Sequence, residues 1–195
     1  MPAGQHCPGA RRAWGSAAIA REIGTDPGPH RERAARITAA LVDRLYDPVG
    51  GTFHPRDLRT GRLVPARTAL GLMPLALPGL PARPVAALLA EACSPRFGLA
   101  ARMDRPLPSH DRTAPDFEPL RYWRGPSWQN LNWLLWRGLR AHHRLDLAAG
   151  LRDSMIALVA TAGCHEYFHP DTGAGLGSPA FGWTAALLLD VLADA

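Results

Sequence analysis

Glu166 is the residue with the most chemistry to offer. It stands in Gly163-Cys164-His165-Glu166-Tyr167-Phe168-His169-Pro170, a carboxylate followed at once by two aromatic rings. Such a carboxylate can act as a general base, taking a proton from water against a bound, partly apolar ligand. The plainer alternative is a loop glutamate paired with one of the chain's many arginines. The stretch also spells H-E-x-x-H. In a zinc hydrolase those two histidines sit one turn apart on a helix, with the glutamate as base. Gly163 and Pro170 leave room for only about six helical residues, a marginal helix. No third ligand lies in a motif of its own. The expectation is an extended loop carrying Glu166, with a zinc hydrolase on His165, Glu166 and His169 as an alternative.

The second candidate is Tyr122-Trp123-Arg124-Gly125-Pro126-Ser127-Trp128-Gln129-Asn130-Leu131-Asn132-Trp133. Sugars present apolar C–H faces rimmed by hydroxyls, so a site for them wants flat aromatic surface edged by amides, arginine and carboxylates. Gly125-Pro126 reads as the start of a helix, which places Tyr122, Trp123 and Arg124 on the loop before it. Trp128 and Asn132 then share one helical face, with Gln129 and Trp133 on the next stripe. Trp133 and Trp136 read as packing residues, since most aromatics at helical spacing are core.

Around these residues the helical period dominates. Ala34, Ile37, Leu41 and Leu45 recur at three and four between His30 and Tyr46, as one buried face requires. Asp26-Pro27 supplies an N-cap and a first-turn proline, and Tyr46-Asp47-Pro48 with Gly50-Gly51 stops the helix. Further helical patterns cover 67–77, 83–92, 127–143, 146–162 and 179–193, the last opened by Ser178-Pro179. Residues 94–125 are rich in Pro, Asp and Arg without a period, and a long ordered loop in a compact domain is usually functional. With no alternating strand, the fold class is all-α. Tyr46 to Gly51 and Phe168 to Gly173 echo one another, each an aromatic, a proline and a glycine after a helix. Such an echo suits helical hairpins repeated around a toroid.

The bulk properties agree. The chain has 195 residues, 47% hydrophobic and 20% charged, enough for one domain with a real core. Its net charge of +5 comes entirely from arginine, spread without blocks, so nucleic-acid binding is not expected. No apolar run approaches the roughly 18 residues of a membrane span, and no secretory pattern opens the chain, so a cytoplasmic location is expected. Cys7, Cys93 and Cys164 have neither zinc nor disulfide spacing and read as reduced thiols. Residues 1–24 read as a poorly defined N-terminal segment, and 25–195 as the catalytic-type domain.

Two stretches carry a resemblance. Tyr122-Trp123-Arg124-Gly125-Pro126-x-Trp128-x-x-x-Asn132-Trp133 is similar to the aromatic motif of glycoside hydrolase family 63 and its bacterial relatives, the mannosylglycerate and glucosylglycerate hydrolases. Trehalases carry a similar stretch. Glu166-Tyr167-Phe168-x-Pro170-x-Thr172-Gly173-x-Gly175-Leu176-Gly177, with Phe181-x-Trp183-Thr184-Ala185-Ala186, resembles that family's C-terminal signature. Looser similarity at Phe53, Asp57, Thr60-Gly61 and Pro74-Leu75 reaches back to about residue 25.

The resemblance implies an (α/α)6 barrel of the six-hairpin glycosidase type, of which this chain supplies about half the toroid. It implies hydrolysis of an α-glycosidic bond with inversion, Glu166 being the general base. Tyr122, Trp123, Arg124, Trp128, Asn132, Tyr167 and Trp183 become substrate-binding residues for a small glycoside or oligosaccharide, with no metal and no cofactor. The family's general-acid aspartate belongs to an N-terminal half, and its motif is not found here. Asp104, Asp111 and Asp116 lie in a different context. Three readings follow: a catalytic-domain fragment completed by an N-terminal half, a degenerate sugar-binding remnant, and the zinc hydrolase.

Overall fold

The structure is a computed structural model and describes residues 6–100 and 105–193; Asp104 lies outside them. Helices dominate. In chain order they are α1 (His6–Glu22), α2 (Gly28–Leu45), a 3-10 segment (Ala69–Ala76), α3 (Ala82–Cys93), α4 (Gln129–Ala141), α5 (Leu145–Ala162) and α6 (Gly182–Ala193). The named strands among the described residues form two short antiparallel hairpins, β1 (Tyr46–Asp47) with β2 (Thr52–Phe53) and β3 (Tyr167–Phe168) with β4 (Gly175–Leu176). No helix of the described residues is long and apolar enough to cross a membrane.

The expected stripe of α2 is its buried face: Ala34, Leu41 and Leu45 are covered, joined by Thr38, whose hydroxyl donates to the Ala34 carbonyl at 2.9 Å. Asp26 accepts from the Gly28 N–H at 2.8 Å, satisfying one of the orphan donors of the helix start. The segment between β2 and α3 departs from expectation. It is a 3-10 helix and not an α-helix, because Pro74 lies inside it and cannot donate to the α-helical ladder.

The N-terminal residues also differ. Residues from His6 onward form α1, packed on α2 through Ala10, Ala13, Ala17 and Ala20, all nearly inaccessible. The three-four-three spacing is helical, but alanine makes it faint.

Helix α4 is the hub, packed on the 3-10 segment, α5 and α6. Leu135, Trp136 and Leu139 of α4 meet Leu72, Leu75, Leu88, Leu151 and Met155 in one core. Two helix starts lie later than the sequence suggests. α4 begins at Gln129, because the backbone of Ser127 is drawn into a bridge with Phe168 and Trp128 is extended. α6 begins at Gly182, since Ala180 takes a left-handed φ of 53° that breaks the run from Ser178-Pro179.

The loop before α4 is ordered by specific bonds. The Asn132 amide accepts from the Leu107 N–H at 2.8 Å and donates to the Leu107 carbonyl at 3.1 Å. Ser109 bonds through its backbone to Ala69 and Pro126. Arg112 reaches across to Asp171 at 2.6 Å, fastening this loop to the β3–β4 hairpin.

Candidate active site

The site is assembled by one backbone bridge. Ser127 and Phe168 exchange N–H···O bonds of 2.8 and 2.9 Å, bringing the start of α4 against the strand that follows Glu166. Phe168 is fully buried, so alternation along the strand leaves Tyr167 turned the other way, toward the aromatic motif.

Four aromatic rings then gather. Trp128 stacks on Trp123 (centroids 4.1 Å apart, 6° between planes) and on Tyr167 (5.0 Å, 24°). Tyr122 stands edge-on to Trp123, Trp128 and Tyr167 at 5.8, 4.9 and 5.1 Å. The indole N–H of Trp128 donates to the Tyr122 carbonyl at 2.8 Å and locks the loop over the ring. Trp128 is only 3% exposed, so it backs the cluster, whereas Tyr122, Trp123 and Trp183 offer open surface.

Glu166 lies on the rim of this cluster, half-buried. The Tyr122 hydroxyl donates to its Oε1 at 2.5 Å, and the Ser178 N–H reaches its Oε2 at 3.3 Å. The Glu166 N–H in turn donates to the Ser178 carbonyl at 3.0 Å, so both ends of the residue are held by the strand exit. Gly177 makes this approach possible. Its φ is +69°, and a Cβ there would sit 2.7 Å from Glu166 Oε2. The bond has an electrostatic signature: the acceptor carboxylate, first among the causes, pushes the Tyr122 phenol above its ordinary value.

Beside Glu166 runs a small groove of about 160 Å³, lined by Trp128, Gln129, Asn130, Phe181, Trp183 and Leu187 among others. Glu166 is the one carboxylate of that lining.

Other expected residues are placed differently. Asn132 is 2% exposed, and its amide is used by Leu107 and by the Trp128 carbonyl at 2.9 Å. It holds the loop and does not line the groove. Arg124 turns to Asp116 at 3.9 Å, and Asp116 also takes the His110 ring at 3.0 Å. Trp133 is half-buried and donates to Asp190 at 2.5 Å. Ser178, read from sequence as a helix cap, instead holds Glu166. A serine straight after the glycine that follows β4 was the available signal.

The H-E-x-x-H segment is not a helix. Residues 163–169 run as loop and strand. His169 Nδ1 accepts from the N–H groups of Asp171 and Thr172 at 3.1 and 3.2 Å, and the His165 ring lies against Gly175. The one-turn pair on which the zinc alternative depends is absent from this segment. Among the described residues no three His, Cys, Asp or Glu side chains gather closely enough to hold an ion.

Open aromatic faces edged by a hydrogen-bonded carboxylate are the surface chemistry that the apolar faces and hydroxyl rim of a sugar call for. The family model of the mannosylglycerate hydrolase MGH1-like glycoside hydrolase domain matches residues 11–184. The chain belongs to that family.

Among curated relatives, the mannosylglycerate hydrolase of Rubrobacter radiotolerans is 38% identical over 178 residues, covering 91% of this chain and 40% of that protein. The Thermus thermophilus mannosylglycerate hydrolase is 40% identical over 172 residues, covering 88% and 40%. The crystal structure of a GH63 mannosylglycerate hydrolase from Thermus thermophilus in complex with glucose superposes with a TM-score of 0.84 at 35% identity, covering 99% of this chain and 45% of that one. A second crystal of that enzyme holds Tris and D-glycerate. The chain thus spans about 40% of the length of these curated relatives.

Proposed function

We propose that this chain is the base-bearing part of an inverting α-glycoside hydrolase acting on a small glycoside of glycerate. The observation that carries the reading is Glu166, bonded to Tyr122 and Ser178 on the rim of the Trp123–Trp128–Tyr167 stack. The helices are read as about half of an (α/α)6 toroid, with α1–α2 and α4–α5 as two of its hairpins.

In this reaction Glu166 takes a proton from water as the water oxygen bonds to the anomeric carbon. The glycosidic C–O bond breaks on the opposite face, and the leaving oxygen takes a proton from a carboxylic acid. In an inverting enzyme the two carboxyl groups stand roughly 6.5–9.5 Å apart, leaving room for that water. Tyr122 donates to one Glu166 oxygen and orients the carboxylate until the water takes over that oxygen. Trp123 and Trp183 offer faces to the sugar ring, Trp128 and Tyr167 back them, and Arg124 shapes the loop from below. The acid comes from outside the groove described above.

Hydrolysis of mannosylglycerate and glucosylglycerate tests this, with the chain alone and with an acid-bearing complement. Product anomer is read by NMR. Inverted sugar from the complemented chain is the expected result. Absence of hydrolysis in both formats, with a sugar still bound, would instead favour the non-catalytic remnant.

A further inference from the structure

Helix α4 carries two amides on its buried face, and they are not used alike. Gln129 and Asn132 stand one turn apart on the stripe that continues through Leu135, Trp136 and Leu139 into the core. The Asn132 amide is fully engaged, its oxygen taking the Leu107 N–H and its nitrogen giving to the Leu107 and Trp128 carbonyls. The Gln129 amide is half engaged. Its Nε2 donates to the Met155 carbonyl of α5 at 3.2 Å. Its Oε1 has no hydrogen-bond partner among the described residues, although the residue is only 4% exposed. The Met155 bond fixes which end is oxygen, since the reverse orientation would set two acceptors face to face. A buried acceptor left unmatched costs stability, and a methionine or leucine would occupy the same place without that cost.

Gln129 lines the groove beside Glu166, and the polar side chains around it are already engaged. Glu166 accepts from Tyr122 and Ser178. The Thr184 hydroxyl donates to the His165 carbonyl at 2.7 Å, and Asn130 Oδ1 accepts from the Leu131 N–H at 2.9 Å. We propose that Gln129 Oε1 accepts a hydrogen bond from one hydroxyl of a sugar held in this groove, and so selects which sugar is held. The inference rests on the carbohydrate reading above and adds a specificity residue to it. An amide oxygen only accepts, so its partner must bring a hydrogen. A sugar ring laid on the open face of Trp183 brings hydroxyls around its edge, toward the groove wall that Gln129 shares.

The test titrates the chain with D-glucose and with its monodeoxyfluoro derivatives, each lacking one hydroxyl, by ligand-observed NMR. Fluorine takes up the room of the hydroxyl and donates nothing. In the unaltered chain, loss of the hydroxyl that meets Gln129 is expected to weaken binding roughly threefold to tenfold, the share of one neutral hydrogen bond. Gln129→Met is expected to erase that one penalty, to leave those at other positions, and to keep Tm unchanged or higher. Gln129→Leu, with a different shape and again no acceptor, is expected to give the same pattern.

Sugar binding in which neither variant changes any derivative's penalty overturns the inference and leaves the carbohydrate reading standing. So does a weakening shared equally by glucose and all its derivatives, which marks Gln129 as packing. Failure of the unaltered, folded chain to bind any of these sugars removes the carbohydrate reading and the inference with it.

Discussion

The two hairpins are the same turn set at the ends of two different helices, and only one of them stands beside the Glu166 groove. In the first, Tyr46 pairs with Phe53, the Gly51 N–H closes on the Asp47 carbonyl at 2.8 Å, and Asp47 Oδ1 accepts from Val49 at 2.9 Å. In the second, Phe168 pairs with Gly175, the Gly173 N–H closes on the His169 carbonyl at 2.9 Å, and His169 Nδ1 accepts from Asp171 at 3.1 Å. Both closing glycines have left-handed φ, 68° and 74°. What differs is the approach. α2 runs straight into Tyr46, and the Leu45 carbonyl is taken by His54. α5 stops at Ala162, Gly163 turns out at φ 84°, and Gly163 to Tyr167 cross to Ser178 and Phe181. The place of Glu166 in the second hairpin is filled in the first by Arg44, still inside its helix. The Glu166 carboxylate is free to meet Tyr122 because its helix ends early.

The sharpest way to break that comparison is to change both positions. In the complemented chain, Glu166→Gln is expected to lower kcat by about 10²–10⁴-fold, the usual share of a general base. Arg44→Gln, at an exposed position, is expected to leave kcat within about twofold, as surface changes away from a site do. Equal losses at both positions would end the claim that only the second hairpin is chemical.

Glycines give the next largest effect. Gly51→Ala forces a side chain into left-handed backbone, costing about 1–2 kcal/mol of stability and nothing in kcat. Gly177→Ala bears a similar conformational cost, and its Cβ also meets Glu166 Oε2, so stability and kcat fall together. Thermal unfolding and steady-state kinetics on the same preparations separate the two.

Much of this arrangement is legible in the residues. Ile37, Leu41 and Leu45 announce α2, and the echo between Tyr46-Asp47-Pro48 and Phe168-His169-Pro170 is a repeated structure. The meeting of Tyr122 with Glu166 follows from their motifs and not from any local pattern. Other features escape for physical reasons. The buried stripe of α1 is alanine, whose burial signal is weak. Gly125-Pro126 has the look of a helix start, but the pairing that postpones α4 comes from Phe168, far along the chain. Nothing near Asn132 in the sequence announces that its amide is bonded to the loop at Leu107. Long-range partners decide the start of α4 and the role of Asn132, and a local reading cannot supply them.

A smaller effect reports on the Tyr122–Glu166 bond directly. The phenol is held above the ordinary value of 10.0 chiefly because it donates to the Glu166 carboxylate. A raised pKa in the fold means that the bond's stabilisation is complete below pH 10 and is lost as pH rises through the folded value. Ultraviolet titration of the three tyrosines is expected to show one late phase, which Glu166→Gln moves earlier. No change in that phase would separate the phenol from the carboxylate.

The smallest effect distinguishes the two caps of the shared turn. The N–H groups of Gly50 and Val49, in that order, hold the Asp47 carboxyl below its ordinary value of 3.8, with His54 and Arg67 adding to the pull. A depressed pKa gives stability that is present above pH 3.8 and lost as pH falls through the folded value. Asp47→Asn keeps the acceptor and removes the titration, so the drop in Tm on acidification should flatten by a few degrees. His169→Ala removes the matching cap at the second hairpin and, with the Asp47 carboxylate untouched, should lower Tm while leaving that acid-dependent drop in place. If the two variants behave alike across pH, the turns are held by backbone alone and the caps are interchangeable ornaments of one fold.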